Sequence, residues 1–336
     1  MKTNRRDFLK KATVVTAGLG MMYRNSLMAA RPAFKAEPGK RIGMLGLDTG
    51  HCQAFTQAFN ATDAGDRYRG YRVTVACPKG TELIREWKDR IPQITEDVKK
   101  EGVEIVDSID KLLDKADVVL MTCIDGNKHL ELALPVLKAG KPLFIDKPFT
   151  ASYRDAYAIV EAARKYGTPM FSSSSLRYLT GVENVSETAG KITGVDTYGP
   201  ASIEPHHPDL FWYGIHGIEI LFALMGAGCK SVRRTYMPGT DSVIGLWNDS
   251  RIGTFRGTRN GKYGFGATVF GEKDIVHLNR DEGYNPLLVK IAEFYDTKTV
   301  PFPVEQTLEI IAFMEAADKS KEQGGAEIEL KSVMNN

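Results

Sequence analysis

Two stretches of the chain carry side chains whose types and spacing could do chemistry. The first, HLELALPVLKAGKPLFIDKPF at residues 129–149, closes an apolar run with Asp146-Lys147-Pro148. A lysine at the carboxyl end of a buried strand stands where open α/β sheets place their ligands. Its ammonium could stabilise an alkoxide and lower the pKa of a neighbouring acid–base group. The second, FWYGIHGIEILFALMG at residues 211–226, reads as a helix with Trp212, His216 and Glu219 on one face. A histidine there suits proton exchange. Taken singly, Lys147 also reads as a solvent-facing lysine before a turn proline, and His216 as a satisfied core histidine.

A third stretch, GLDTGH at residues 46–51, follows the apolar run RIGML. Strand, glycine, short turn and helix is how a dinucleotide-binding unit begins, but the GxGxxG pattern is incomplete. Gly46 fills the tight-turn position, whereas Asp48 and His51 occupy the second and third glycine positions. A carboxylate beside a pyrophosphate is repulsive, and its Cβ takes up space. The amides of a helix starting near Gly50 would still attract an anion. Asp48 or Thr49 could equally cap that helix and occupy the same amides. The next strand ends Ala76-Cys77-Pro78-Lys79, without the acidic residue that usually holds an NAD ribose.

The elements that must position these residues follow from periodicity. Residues 41–150 alternate strand and helix patterns: RIGMLGLD, HCQAFTQAFN, YRVTVAC, a charged helical stretch broken by Pro92, VEIVDS, DKLLDKA, DVVLMTC, KHLELALPVLKAGK and PLFID. A helix at SYRDAYAIVEAARKYG and a sixth strand at PMFSSSS carry the pattern to about residue 175. This alternation predicts a Rossmann-like, doubly wound parallel sheet. From residue 176 the pattern changes to consecutive strands, KSVRRTYM, SVIGLWN, RIGTFRGT, YGFGATVFG and DIVHLN, before helices at 286–298 and 304–322. Residues 176–330 are therefore expected to form an α+β domain with a mostly antiparallel open sheet, serving substrate binding and oligomerisation.

With these blocks in place, residues 41–330 resemble the glucose–fructose oxidoreductase/inositol dehydrogenase (Gfo/Idh/MocA) family. The resemblance rests on the helix ending Ala-Gly-Lys, the buried strand, and Asp146-Lys147-Pro148 where the family has Glu-Lys-Pro. It rests also on Gly214 and His216 within the family's D-x-G-x-H-x-x-D helix, where Trp212 and Glu219 replace the two aspartates. LEIIAFMEAADKSKEQGGAEIEL looks like the family's last helix and final strand. The resemblance implies hydride transfer between NAD or NADP and a sugar or polyol. Lys147 would lie beside nicotinamide and substrate, with a Lys-Pro bond that is often cis, and His216 would be the general acid–base. Gly46, Asp48, Thr49, Gly50, His51, Asp146, Lys147 and Pro148 would line the cofactor. Arg177, His207, Trp212, Tyr213 and Glu219 would face the substrate, Trp212 as a stacking surface; for Arg177 a structural ion pair is an equal alternative. A homo-oligomer, dimer or tetramer, is expected. The alternatives on the same fold are a cofactor-independent sugar epimerase or lyase, and a non-catalytic carbohydrate-binding protein.

The remaining features bound these readings. Of the 336 residues 43% are hydrophobic, and the formal net charge is +2. Residues 1–30 carry six Lys/Arg against one Asp, so the rest of the chain is near −3 and gives no electrostatic support to nucleic-acid binding. That segment resembles a twin-arginine export signal: Arg5-Arg6, Phe8-Leu9, the apolar ATVVTAGLGMM, and small residues at Ala29 and Ala30. It predicts a periplasmic or otherwise exported protein whose cofactor is tightly held and loaded before export. No later run is long and apolar enough to span a membrane. Cys52, Cys77, Cys123 and Cys229 have no CxxC spacing and are expected as buried free thiols. His206, His207 and Asp209 could suggest a metal, but no HxxxH or HxxE spacing supports one, and none is expected. Arg233, Arg234, Arg251, Arg256 and Arg259 lie on sheet strands whose alternation turns half of them to solvent or a subunit partner, so a solvated sheet face or a dimer interface accounts for them.

Overall fold

The computed structural model describes residues 36–335; the predicted export signal at 1–30 lies outside them. In chain order the first half contains β1 (Arg41–Leu45), α1 (Gly50–Asn60), β2 (Arg72–Cys77), α2 (Arg85–Lys88), α3 (Ile91–Lys100), β3 (Glu104–Ile105), α4 (Ile109–Lys115), β4 (Val118–Met121), α5 (His129–Lys138), β5 (Leu143–Asp146), α6 (Tyr153–Tyr166) and β6 (Met170–Ser173). A 3₁₀ turn at Ser175–Tyr178 leads into α7 (Val185–Ala189), β7 (Ile192–Pro200), α8 (Asp209–Trp212) and α9 (Ile215–Met225). Then come β8 (Cys229–Met237), β9 (Thr240–Trp247), β10 (Ile252–Thr258), β11 (Gly266–Gly271), β12 (Ile275–Leu278), α10 (Asn285–Thr297), α11 (Val304–Glu322), β13 (Ile328–Glu329) and α12 (Lys331–Met334).

The first six strands form one sheet in the order β3-β2-β1-β4-β5-β6, every pair parallel. The order reverses between β1 and β4, which opens a crevice at their carboxyl ends, the place where such sheets bind ligands. Alternation along the strands divides the core. Ile42 and Met44 of β1 point to the face covered by α1, α3 and α10, where Phe55, Phe59, Ile94, Leu288 and Phe294 are buried. Leu45, Val119, Met121 and Ile145 point to the opposite face, beneath α4, α5 and α6. Helix α10, late in the sequence, thus completes the cover of the first sheet. The Lys147-Pro148 peptide that follows β5 is cis.

The second sheet has seven strands in the order β12-β11-β7-β10-β9-β8-β13, antiparallel except for β7 beside β10. Its inner face packs on α9 and α11 through Val232, Val243, Phe255, Val269, Phe222 and Phe313. The architecture is thus a Rossmann-like parallel sheet plus a mostly antiparallel one, as the patterning predicts. The four cysteines are buried and free. No helix among the described residues is long and apolar enough to cross a membrane.

Sequence periodicity misjudged one feature. The predicted helix over 211–226 is broken. Helix α8 ends at Trp212, Tyr213 leaves helical geometry (φ −137°), and α9 starts after Gly214, which packs on Leu210. Trp212 is therefore not in helical phase with His216. The basic residues of the second sheet divide between two environments, as strand alternation predicts. Arg234 is 1% exposed and bonded to Asp209, Asp241 and Asp318, whereas Arg233 is exposed and pairs with Glu327.

Candidate active site

The loop after β1 is built on two close approaches. Gly46 has φ +95°, and a Cβ there would lie 2.5 Å from the Cys123 amide nitrogen, so only glycine lets this turn pass the loop after β4. Asp48 then turns its carboxylate beneath the loop, toward the segments that follow β2 and β4. It is 0% exposed, with Oδ2 accepting from the Thr81 amide at 2.6 Å and Oδ1 from the Ile124 amide at 2.9 Å. Burial pushes the carboxyl above its ordinary value, although the two amides oppose the shift. The carboxylate thus ties the loop after β1 to the loops after β2 and β4. It faces away from any pyrophosphate, which corrects the expected repulsion and removes its side chain from the cofactor-lining set.

Thr49, not Asp48, caps α1: it is extended (φ −145°), and its hydroxyl accepts from the His51 amide at 3.4 Å. Nothing lies within 4 Å of the position a Cβ would take on Gly50, so this helix start has open space beside it. Glycine at 46, an inward carboxylate at 48 and an open Gly50 fit a dinucleotide pyrophosphate at the amino end of α1.

His51 projects across the crevice to the end of β5. Its Nδ1 lies 2.5 Å from Oδ2 of Asp146, whose side chain is 3% exposed. Burial alone would raise the Asp146 carboxyl, but the His51 and Lys147 charges and the hydrogen bond hold it below its ordinary value. The His51 ring stacks on Phe55 at 5.1 Å and meets the edge of Tyr284 at 4.9 Å. Lys147 is 8% exposed, and burial lowers its pKa against the opposing charge of Asp146.

His216, near the start of α9, is buried. Its Nδ1 is 2.7 Å from the Ser174 hydroxyl oxygen, which also accepts from the Leu176 amide. Burial first, then the charges of Lys147 and His51, hold His216 well below the ordinary histidine value, so it is neutral at physiological pH. Asp146 pairs with Ser173 across β5 and β6, so the next residues, Lys147 and Ser174, are neighbours. With His51 on Asp146 and His216 on Ser174, the three side chains gather at the carboxyl ends of these strands. Tyr213 and Phe265 meet the His216 ring at 4.9 and 5.7 Å, and the Tyr213 and Tyr263 hydroxyls are hydrogen-bonded. Ser174, Tyr263, Phe265 and Tyr284 were not singled out from the sequence. They lie in loops or element ends far from His216 in the chain, and no local spacing points to them.

Three expected substrate residues hold the protein together instead. Arg177 donates to Glu219 at 3.0 Å and to Gln306, and its guanidinium lies 3.6 Å from the centroid of Phe302. Arg177 and Glu219 thus form a buried ion pair, the structural alternative weighed for Arg177. His207 accepts the Gly126 amide at Nε2 (3.2 Å), and burial lowers its pKa to about 4. Trp212 packs against His207 at 5.7 Å and is half-buried. The three members of the suggested metal cluster diverge: His206 pairs with Glu204, His207 turns to Gly126, and Asp209 bonds to Arg234 and Lys321. Among the described residues no three potential ligands come together.

Comparison with known proteins agrees with this geometry. Residues 40–173 match the Gfo/Idh/MocA model, described as an oxidoreductase family with an NAD-binding Rossmann fold. An uncharacterized oxidoreductase of Streptococcus pneumoniae serotype 4 is 26% identical over 152 residues, 40% of this chain and 41% of that protein. The match therefore spans about two-fifths of that relative's length. The structure of GenD2 from gentamicin A biosynthesis, in complex with NAD, covers 92% of this chain and 99% of its own (TM-score 0.69, 15% identity). That of Lactobacillus casei scyllo-inositol dehydrogenase, with NAD(H) and scyllo-inositol bound, covers 87% of this chain and 99% of its own (TM-score 0.67, 14% identity). At these identities the structural likeness establishes the fold. Residues 40–173, the segment that the family model matches, fold as a Rossmann domain.

Proposed function

We propose that this chain is an NAD(P)-dependent oxidoreductase that interconverts a secondary alcohol of a sugar or polyol and its ketone. The observation that carries the reading is the grouping of Lys147, His216 and the His51–Asp146 pair over the carboxyl ends of the parallel strands, beside an α1 amino terminus free of acidic side chains. Gly46, Thr49 and Gly50 would hold the cofactor's pyrophosphate. NAD or NADP, when bound, supplies the hydride acceptor. Lys147 places a desolvated ammonium where alkoxide charge develops, and its low-dielectric setting strengthens that interaction. His216, kept neutral, can share a hydrogen bond with the same hydroxyl. Tyr213, Tyr263 and Tyr284 offer apolar faces for a ring with polar edges.

The inward turn of Asp48 removes the electrostatic objection that favoured a cofactor-free epimerase. In this reading export follows the twin-arginine route, with the cofactor already seated. A homo-oligomer forms through the open face of the second sheet, where Tyr198, Ile244, Ile252 and Ile275 are exposed. The test is calorimetric titration with NAD+ and NADP+, then turnover with scyllo-inositol, myo-inositol and simple aldoses. Lys147→Ala and His216→Ala should each lower kcat by about 10²-fold or more while cofactor affinity persists. Failure of the wild-type chain to bind either dinucleotide would refute the assignment.

A further inference from the structure

Two of the departures noted in the sequence meet in one contact. The third glycine of the loop is replaced by the long side chain of His51, and the glutamate before Lys-Pro by the shorter Asp146. These residues, 95 positions apart, face each other at 2.5 Å. The ring is fixed by three neighbours: Asp146 at Nδ1, Phe55 on its face and Tyr284 at its edge. Its Nε2 has no hydrogen-bond partner among the described residues, and the side chain is 15% exposed while its carboxylate partner is 3% exposed. This is the arrangement of a buried carboxylate that orients an imidazole, leaving the other nitrogen to work.

His216 lacks that support. Only the Ser174 hydroxyl stands at its Nδ1, and a proton added to it would create a second buried cation beside Lys147. The groups facing His51 are Asp146 and Lys147 from the end of β5, Tyr284 ahead of α10, Phe55 from α1 and His216 from α9. Asp146 is the sole carboxylate in this set.

We propose that His51, oriented by Asp146, takes the substrate's hydroxyl proton, and that His216 serves as a neutral hydrogen-bond partner of that hydroxyl. The inference rests on the oxidoreductase reading above. In the oxidation direction the carbinol C–H electron pair leaves as hydride to NAD(P)+, the O–H bond breaks, and C=O forms. The proton passes to His51 Nε2. Positive charge lost from the nicotinamide ring is thereby replaced on an imidazolium already paired with Asp146, so the net charge of the site is unchanged. His51 is the catalytic residue and Asp146 the positioning residue.

The test uses the full chain. Proton NMR of the cofactor-free protein should show a low-field Nδ1 proton that disappears in Asp146→Asn and in His51→Gln and persists in His216→Gln. With NAD+ and scyllo-inositol or myo-inositol as probes, His51→Ala should lower kcat about 10²- to 10⁴-fold, with KM and NAD+ affinity within about threefold of wild type. Added imidazole should recover about tenfold or more of that rate, which a merely structural role for His51 would not allow. Wild-type kcat in His51→Ala, a folded His51→Ala that imidazole does not rescue, or a low-field proton unmoved by Asp146→Asn would each overturn the proposal. Absence of NAD+ and NADP+ binding by the wild type would overturn the oxidoreductase reading instead, while the NMR result would still decide whether the dyad exists.

Discussion

Replacing Asp48 by glycine restores the residue that a dinucleotide loop ordinarily carries at that position, and the structure predicts that this repair is harmful. The carboxylate accepts the Thr81 and Ile124 amides at 2.6 and 2.9 Å in a site with no solvent exposure. Hydrogen bonds to a charged acceptor contribute about 1.5–3 kcal/mol each, and buried amides left without an acceptor carry a similar penalty. Glycine also adds about 0.5–1 kcal/mol of backbone entropy cost. A loss of about 3.5–7 kcal/mol follows, a large fraction of the 5–15 kcal/mol typical of whole-domain stability. At roughly 2–4 °C per kcal/mol for a chain of this class, Tm should fall by about 7 °C or more. Asp48→Asn should lie between, because its amide oxygen replaces one acceptor and its NH₂ confronts the other donor. Gly80→Ala should resemble Asp48→Gly, since a Cβ on Gly80 would lie 2.5 Å from the Asp48 carboxylate oxygen. Thermal unfolding by circular dichroism and NAD+ titration on the same samples decide the matter. An Asp48→Gly protein with unchanged Tm and NAD+ affinity improved about tenfold would show that the carboxylate acts on the ligand, and the latch argument would fail.

Three further outcomes follow from the same reasoning. Arg234→Met strips the guanidinium from Asp209, Asp241 and Asp318 and should cost about 3–5 kcal/mol by denaturant unfolding, whereas Arg233→Met, its exposed neighbour, should cost less than about 0.5 kcal/mol. His207 is lowered to about 4 by burial, so the unfolded chain takes up its proton first as pH falls. Its contribution is complete above about pH 6.5 and declines toward pH 4, by up to about 3 kcal/mol; unfolding curves of His207→Gln should lose this part of the slope. Gly46→Ala, strained at φ +95° and in collision with the Cys123 backbone, should fail to accumulate as folded protein in soluble expression trials, and a wild-type Tm would contradict the geometry.

Most of the fold was legible because its signals are local. Alternating strand and helix patterns placed the six parallel strands, and the apolar strands of the second sheet were bounded by glycine and asparagine turns. Strand β7 escaped that reading although it lies inside the sheet, between β11 and β10. Its ITGVDTYGP is interrupted by two glycines and an aspartate and ends in proline, and its small residues are set by neighbours remote in the chain: a Cβ on Gly199 would meet Phe265 at 2.8 Å. Within the site, Lys147 and His216 were legible from their positions in their elements, but their partners were not. Ser174, 42 residues before His216, and Tyr284, 233 residues after His51, become neighbours only through the packing of separate elements. Glu219 looked like a cleft residue because it shares a helix face with His216 and Arg177 because it follows the sixth strand, and burial made them a pair.

The altered glycine loop shows why residue type alone misleads at such a position. The repulsion expected of Asp48 assumed a side chain facing the ligand, where a charge would act across a few ångströms. What the second glycine provides, however, is the absence of a side chain above the loop. A carboxylate directed below the loop meets that requirement, provided that it finds room and donors there. The Thr81 and Ile124 amides are the donors, and Gly80 leaves the room, since any Cβ at that position would strike the carboxylate. The need for glycine has moved from residue 48 to residue 80, on a different loop. In return the carboxylate joins the ends of β1, β2 and β4, the three strands whose carboxyl ends border the crevice. Reading a departure from a binding motif therefore requires locating the second residue that accommodates it, and here both departures, Asp48 with Gly80 and His51 with Asp146, come with such a partner.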